Sequence, residues 1–327
     1  MFPFSQRVNR LDSRLIPTDA MIAEARAFNE ELERLLATAP SVHTVPVEET
    51  RAVRNAGRGL FAAQPRLPQA RAFLAHGRDG EIALRVLAPE GEPRGVYLHL
   101  HGGGWTIGAA DAQDGYLWEI VEATGLCVAS VEYRLAPEHP HPAALNDCED
   151  AALWLVREGA AALGAPSRLA IGGESAGAHL AAATLLRLRD GHDLAGAFAA
   201  ASLVYGSYDL SQTPSQRLWD RNLVLSPPVL AWFRDNLLPG IDAEGRRDPG
   251  ISPLYADLRG LPPALFMVGA LDPLLDDSVF MEARWRLAGG TTELLIWPES
   301  VHGFNAFPLA LARAANEAQH EFLRAIT

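Results

Sequence analysis

The chain has 327 residues, 48% hydrophobic and 21% charged, enough for one large α/β domain or such a domain with a lid. Its 40 acidic residues outnumber 28 basic ones, and the net charge of -12 argues against nucleic acid or an anionic membrane as the main partner. Every basic residue is arginine, so a Schiff-base lysine, a P-loop lysine and a serine–lysine dyad are all excluded.

The N-terminus, Met1 to Arg7, lacks a long apolar run, and no stretch of about 18 apolar residues occurs anywhere. A cytoplasmic protein without stable membrane association is the expectation. Cys127 and Cys148 fall in a strand-like and a helix-like run. Without a C-x-x-C pattern they read as two buried thiols.

Residues 18 to 39 read as a helix between Pro17 and Pro40, with Thr18 as N-cap. Its apolar residues, Met21, Ile22, Ala25, Phe28, Leu32, Leu35 and Leu36, recur at steps that build one sticky face. Residues 1–45 are therefore expected to form an N-terminal helical segment that packs on the core or joins a lid or cap, ahead of a catalytic domain over 46–327. Residues 41 to 70 read as a connector. Arg71 to His76 and Glu81 to Ala88 suggest a hairpin around Gly77-Arg78-Asp79-Gly80, with Ile82, Leu84 and Val86 alternating. Gly95 to Leu100 and Cys127 to Tyr133 are buried-strand runs, separated by a helix from Asp114 to Thr124.

A second helix is expected over Asn146 to Glu158, then a strand ending at Glu174 and a helix from Ser175 to Arg189. Strands follow at Phe198 to Tyr205, Ala264 to Val268 and Glu293 to Trp297. Helices are expected over Asp277 to Leu287 and Leu309 to Ala325. Alternation of this kind predicts a mostly parallel, eight-stranded α/β sheet with helices on both faces. Residues 206 to 250 break the rhythm and read as a cap insertion above the carboxyl ends of the strands, with Trp219, Trp232 and Phe233 exposed. The last strand, Thr292 to Trp297, reads as a sheet edge open to a homodimer partner.

Chemistry concentrates at Gly173-Glu174-Ser175-Ala176-Gly177. This G-x-S-x-G lies between a strand and a helix, where a serine on a sharp turn stands clear of the backbone. Upstream, His101-Gly102-Gly103-Gly104-Trp105 ends a strand, and consecutive glycines let backbone N–H groups converge on a developing oxyanion. The N–H of Ala176 adds a further donor. His302 follows the last strand and comes last in chain order, which suits a general base. His179 lies one turn down the helix from Ser175 and is expected to point away. The pairs His99/His101 and His139/His141 lack a third ligand, so no metal site is expected. Asp272, 30 residues before His302, is the preferred acid; Asp209, Asp276 and Asp277 remain open.

Together with Asp272-Pro273-Leu274, His302-Gly303-Phe304, Tyr133-Arg134-Leu135-Ala136-Pro137-Glu138-His139-Pro140 and Ser252-Pro253-Leu254, these motifs resemble the hormone-sensitive-lipase-like branch of the α/β-hydrolases, the bacterial family IV esterases. The resemblance covers roughly residues 70 to 325. It implies an α/β-hydrolase fold and carboxylic-ester hydrolysis without a cofactor. Ser175 would be nucleophile, His302 base and Asp272 acid, with Gly103, Gly104 and Ala176 as oxyanion donors. Ala178 and His179 depart from the family's usual glycine and asparagine. Trp105 beside the glycine loop suggests an apolar substrate pocket of modest volume, suited to a small-molecule ester with a short- to medium-chain acyl group. An amidase or formamidase, or a non-catalytic small-molecule binder, are the alternatives on the same fold.

Overall fold

The computed structural model describes residues 16–62 and 64–326; the first fifteen residues of the expected N-terminal segment lie outside that range. Eight strands form one sheet: β1 (Arg71–Gly77), β2 (Gly80–Leu87), β3 (Val96–Leu100), β4 (Cys127–Val131), β5 (Leu169–Glu174), β6 (Ala200–Val204), β7 (Ala264–Leu271) and β8 (Thr292–Val301). Their order is β1-β2-β4-β3-β5-β6-β7-β8. The first two pairings, β1 with β2 and β2 with β4, are antiparallel, and the remainder are parallel. β3, β4, β5 and β6 are buried at every position, as strands covered on both faces must be.

The helices are α1 (Asp19–Thr38), α2 (Val47–Asn55), α3 (Asp114–Thr124), α4 (Ala143–Trp154), α5 (Ala160–Ala162), α6 (Ala176–His192), α7 (Pro214–Leu218), α8 (Pro227–Leu237), α9 (Leu275–Leu287) and α10 (Ala310–Arg324). α4, α6 and α9 cover one face of the sheet, and α3 and α10 the other, with α1 packed on α10 and β8. The Thr18 hydroxyl caps α1 by accepting from the Met21 N–H.

Three expectations shift. The connector over 41 to 70 contains α2, preceded by a 3-10 turn at Val42–Thr44. Glu48 and Glu49 favour the positive end of that helix. Only Thr50 of α2 is buried, so no apolar period marks it in the sequence. The helix expected from Asn146 begins at Ala143 and widens into a π-turn at Leu155–Gly159, where the Trp154 ring lies against Gly159. β8 runs past Trp297 to Val301 despite Pro298, which an edge strand tolerates because one row of its N–H groups is unpaired. That extension delivers His302 directly from the end of the sheet.

Candidate active site

Ser175 joins β5 to α6 with φ 56° and ψ −116°, a left-handed backbone that costs on the order of 1–3 kcal/mol for a non-glycine residue. The strain is held in place by neighbours: the Ser175 N–H donates to the Val204 carbonyl at 2.9 Å, and its own carbonyl accepts from His179 N–H at 3.2 Å. A Cβ on Gly173 or Gly177 would run into the Leu100 carbonyl oxygen, so only glycines let the turn pass that close to β3. The serine also sits at the N-terminus of a 17-residue helix, whose dipole favours negative charge there.

The sheet gathers the expected partners at one rim. Asp272 follows β7 and His302 follows β8, two adjacent strands. His302 Nε2 lies 2.9 Å from Ser175 Oγ, and its Nδ1 lies 2.8 Å from Asp272 Oδ2. The other Asp272 oxygen accepts from the Leu274 N–H at 2.8 Å, so the buried carboxylate is fixed on both sides. Because Asp272 only accepts, the imidazole carries its hydrogen on Nδ1 and presents a bare Nε2 to the serine.

Gly103 and Gly104 adopt φ 122° and 56°, which places their amides in a turn that other residues resist. The N–H groups of Gly103, Gly104 and Ala176 have no backbone acceptor among the described residues. Ala176 is the first residue of α6, where the helix supplies none. Two buried histidines anchor this loop. His101 stacks on Tyr133 at 4.1 Å and donates from Nδ1 to the Gly102 carbonyl at 2.9 Å. The Tyr133 hydroxyl in turn donates to the His101 carbonyl at 2.6 Å. Burial lowers His101 to about 3. His179 accepts from the Trp105 indole N–H at 3.1 Å and sets its Nε2 2.8 Å from the Ile251 carbonyl. Burial lowers it to about 4. His179 thus ties the glycine loop to the segment that follows α8.

The rival acids have other partners. Asp277 is buried and accepts from the N–H groups of Tyr208 and Asp209 and from Thr213 and Gln216, and burial raises it to about 7. Asp209 is engaged by Ser211 and Tyr255, and Asp276 by the Ser215 N–H. His99 lies between Ser130 and Glu174, 2.9 and 3.0 Å away. Among the described residues, no three His, Cys, Asp or Glu side chains are placed to hold a metal ion. Sequence reasoning passed over Tyr205, whose ring sits 4.6 Å from His302 and whose hydroxyl donates to Asn305 at 2.6 Å. It also passed over Phe61, packed against Gly303 from the supposed connector. Neither belongs to a motif, so no local signal marks them.

Comparison with known proteins gives the family. A family model described as the alpha/beta hydrolase fold matches residues 97–306. The chain is 35% identical over 251 residues to the carboxylesterase NlhH of Mycobacterium tuberculosis, covering 73% of this chain and 76% of that protein. It is 36% identical over 246 residues to the carboxylic ester hydrolase LipN of the same organism, covering 73% of this chain and 65% of LipN. The chain belongs to the α/β-hydrolase family. Its place is the hormone-sensitive-lipase-like branch of carboxylic-ester hydrolases. A hyperthermophilic esterase from Pyrobaculum calidifontis superposes with a TM-score of 0.83 at 28% identity, over 92% of this chain and 98% of that one. A hormone-sensitive lipase from a metagenome library gives 0.79 at 29% identity, with the same coverage of 92% and 98%.

In this hydrolase a cavity of about 1340 Å³ opens over Ser175, His302 and the three glycines. It is larger than the modest pocket expected, because the last turn of α1, α2 and α8 all contribute wall and leave space between them. Phe233 of α8 is buried with its ring over Gly104, while Trp219 and Trp232 are half-buried. These aromatics expected at a surface are therefore partly packed inward. Trp105 lines the cavity, but its indole N–H is committed to His179.

Proposed function

We propose that the chain hydrolyses short- to medium-chain carboxylic esters through an acyl-enzyme on Ser175. The observation that carries the reading is the unbroken relay from Asp272 through His302 to Ser175, at 2.8 and 2.9 Å, opening on the cavity. Ser175 Oγ attacks the ester carbonyl as His302 Nε2 takes its proton, and Asp272 stabilises the imidazolium. The carbonyl oxygen becomes an anion facing the N–H groups of Gly103, Gly104 and Ala176. Collapse expels the alcohol, which leaves with the proton from His302. Water then gives its proton to the same nitrogen and attacks the acyl carbonyl; the bond to Ser175 Oγ breaks, Oγ takes the proton back from His302, and the acid is released.

The acyl-length preference is supported by a relative in Pseudomonas putida named ethyl acetate hydrolase, 32% identical over 272 residues, and by Phe233 and Trp105, which narrow the cavity beside the glycine loop. We assign the described part of the N-terminal segment, residues 16–45, and residues 206–250 to the cap, since α1 and α8 both line the cavity. A cytoplasmic location is supported by two buried free thiols, Cys127 and Cys148, with burial pushing Cys127 up to about 12. A homodimer is supported by β8, a sheet edge with Ile296 exposed, and is tested by sedimentation. No described helix is long and apolar enough to cross a membrane.

The activity is tested with p-nitrophenyl esters from acetate to palmitate. Turnover is expected to peak below decanoate, and Ser175→Ala is expected to lower kcat at least about a thousandfold. A variant keeping a tenth of the wild-type rate would end the nucleophile assignment, and a palmitate optimum would end the chain-length one.

A further inference from the structure

Four arginines line the cavity: Arg54, Arg58, Arg234 and Arg313. Many arginines elsewhere are paired with carboxylates, as in Arg51–Glu138, Arg78–Asp150, Arg85–Asp114 and Arg134–Asp147. Arg54 is not: among the described residues its guanidinium has no carboxylate or carbonyl partner, while Arg234 has only the charge of the adjacent Asp235 in its favour and its Nε is buried with no acceptor. Around Arg54 the neighbours are aromatic. Its guanidinium carbon lies 5.3 Å from the centre of the Phe61 ring, with the Tyr205 and Tyr133 phenols nearby. Burial pulls both guanidinium groups down from their ordinary value, yet an arginine stays charged at neutral pH. Two half-buried cations without an ion pair are costly. They are anomalous in a chain whose acids outnumber its arginines 40 to 28.

Their position relates them to the reaction. Phe61, beneath Arg54, packs on Gly303, next to His302. Tyr205, also close to Arg54, stands 4.6 Å from the His302 ring. Arg234 follows Phe233, whose ring covers Gly104. The cavity's own carboxylates do not neutralise them. Glu174 is held through Oε2 by His99 at 3.0 Å and Gln113 at 3.3 Å, its Oε1 is buried without a partner, and neither it nor Glu119 forms an ion pair with Arg54 or Arg234. Glu49 is exposed, and five residues of helix turn it well away from Arg54.

We propose that the cavity recognises esters that also carry a carboxylate, half-esters of short dicarboxylic acids, with Arg54 as the anion anchor. The inference rests on the esterase reading above. An anion there would complete the guanidinium's hydrogen bonding while leaving the ester carbonyl at Ser175. A packing role for Arg54, holding Phe61 on Gly303, would not distinguish charged from neutral substrates.

The test compares mono-4-nitrophenyl glutarate with 4-nitrophenyl hexanoate, each corrected for its uncatalysed rate. The ratio of kcat/KM for the anionic to the neutral ester is expected to fall about 10- to 100-fold in Arg54→Gln, mainly through KM of the glutarate, and to recover in part in Arg54→Lys. A ratio unchanged within about threefold overturns the proposal. A second measurement needs only the wild-type protein: glutarate should inhibit hexanoate hydrolysis competitively, more strongly than sodium chloride at equal ionic strength. Equal effects of the two salts overturn the proposal as well. Failure of the esterase reading has a different signature, namely no turnover of either ester by the folded wild type.

Discussion

Replacing Asp272 by asparagine should cost about four orders of magnitude in kcat while leaving the fold in place, and the surrounding hydrogen bonds say why. The carboxylate is buried, accepting from the Leu274 N–H through Oδ1 and facing His302 Nδ1 through Oδ2, each at 2.8 Å. An amide of the same shape has one acceptor and one donor end. With its oxygen toward His302, its NH2 would meet the Leu274 N–H, donor against donor. That leaves two buried donors unsatisfied, at about 1–3 kcal/mol each. With its oxygen toward Leu274, both bonds survive, but the NH2 donates to His302 Nδ1 and forces the hydrogen onto Nε2. Such a histidine cannot take the Ser175 proton across the 2.9 Å contact. The second orientation wins by several kcal/mol, so nearly all molecules hold the inactive tautomer. A roughly 10⁴-fold loss corresponds to about 5.4 kcal/mol at the transition state. The assay is steady-state kcat on 4-nitrophenyl butyrate, with the melting temperature as the control for folding. A folded variant retaining more than a tenth of the wild-type kcat would refute both the tautomer argument and the choice of Asp272 over its rivals.

Gly104→Ala places a methyl group on a φ of 56° and against the Phe233 ring, displacing one proposed oxyanion donor. The expected loss in kcat is about 100-fold, and a loss under threefold would remove Gly104 from the oxyanion hole. Asp277→Ala strips the acceptor from four buried donors, so urea unfolding should show a destabilisation of about 2–4 kcal/mol; a change below 0.5 kcal/mol on that order-of-magnitude scale would contradict the role assigned to it. His101 and His179 are lowered by burial from 6.5 to about 3 and about 4, below their unfolded values. The unfolded chain therefore binds more protons, and the stability these groups contribute is present above pH 6.5 and lost as pH falls toward 4. Each contributes a slope of about 1.4 kcal/mol per pH unit. Replacing His179 by Gln should flatten the curve in that window, and an unchanged slope would show that His179 is not the titrating group.

The elbow, the glycine loop and the alternation of strands and helices were legible because each is a local demand. A chain that must pass against the Leu100 carbonyl needs glycine at 173 and 177, and a doubly covered strand such as Val96–Leu100 must be apolar throughout. His302 and Asp272 were readable at one remove, through chain order and strand ends.

Tertiary structure alone decided the rest. Asp272, Asp276 and Asp277 are equivalent in composition; the adjacency of β7 and β8 gives the first to His302 and the packing of the loop after β6 takes the third. α2 buries too little to write a period into the sequence, yet it carries Arg54 into the cavity wall. His179 looks like a stray polar residue on an apolar helix until Trp105 and Ile251 arrive from 74 and 72 residues away. Backbone geometry is set by neighbours along the chain and can be read from them. Which side chain meets which across a cavity depends on contacts between distant segments, and that information exists only once the chain has folded.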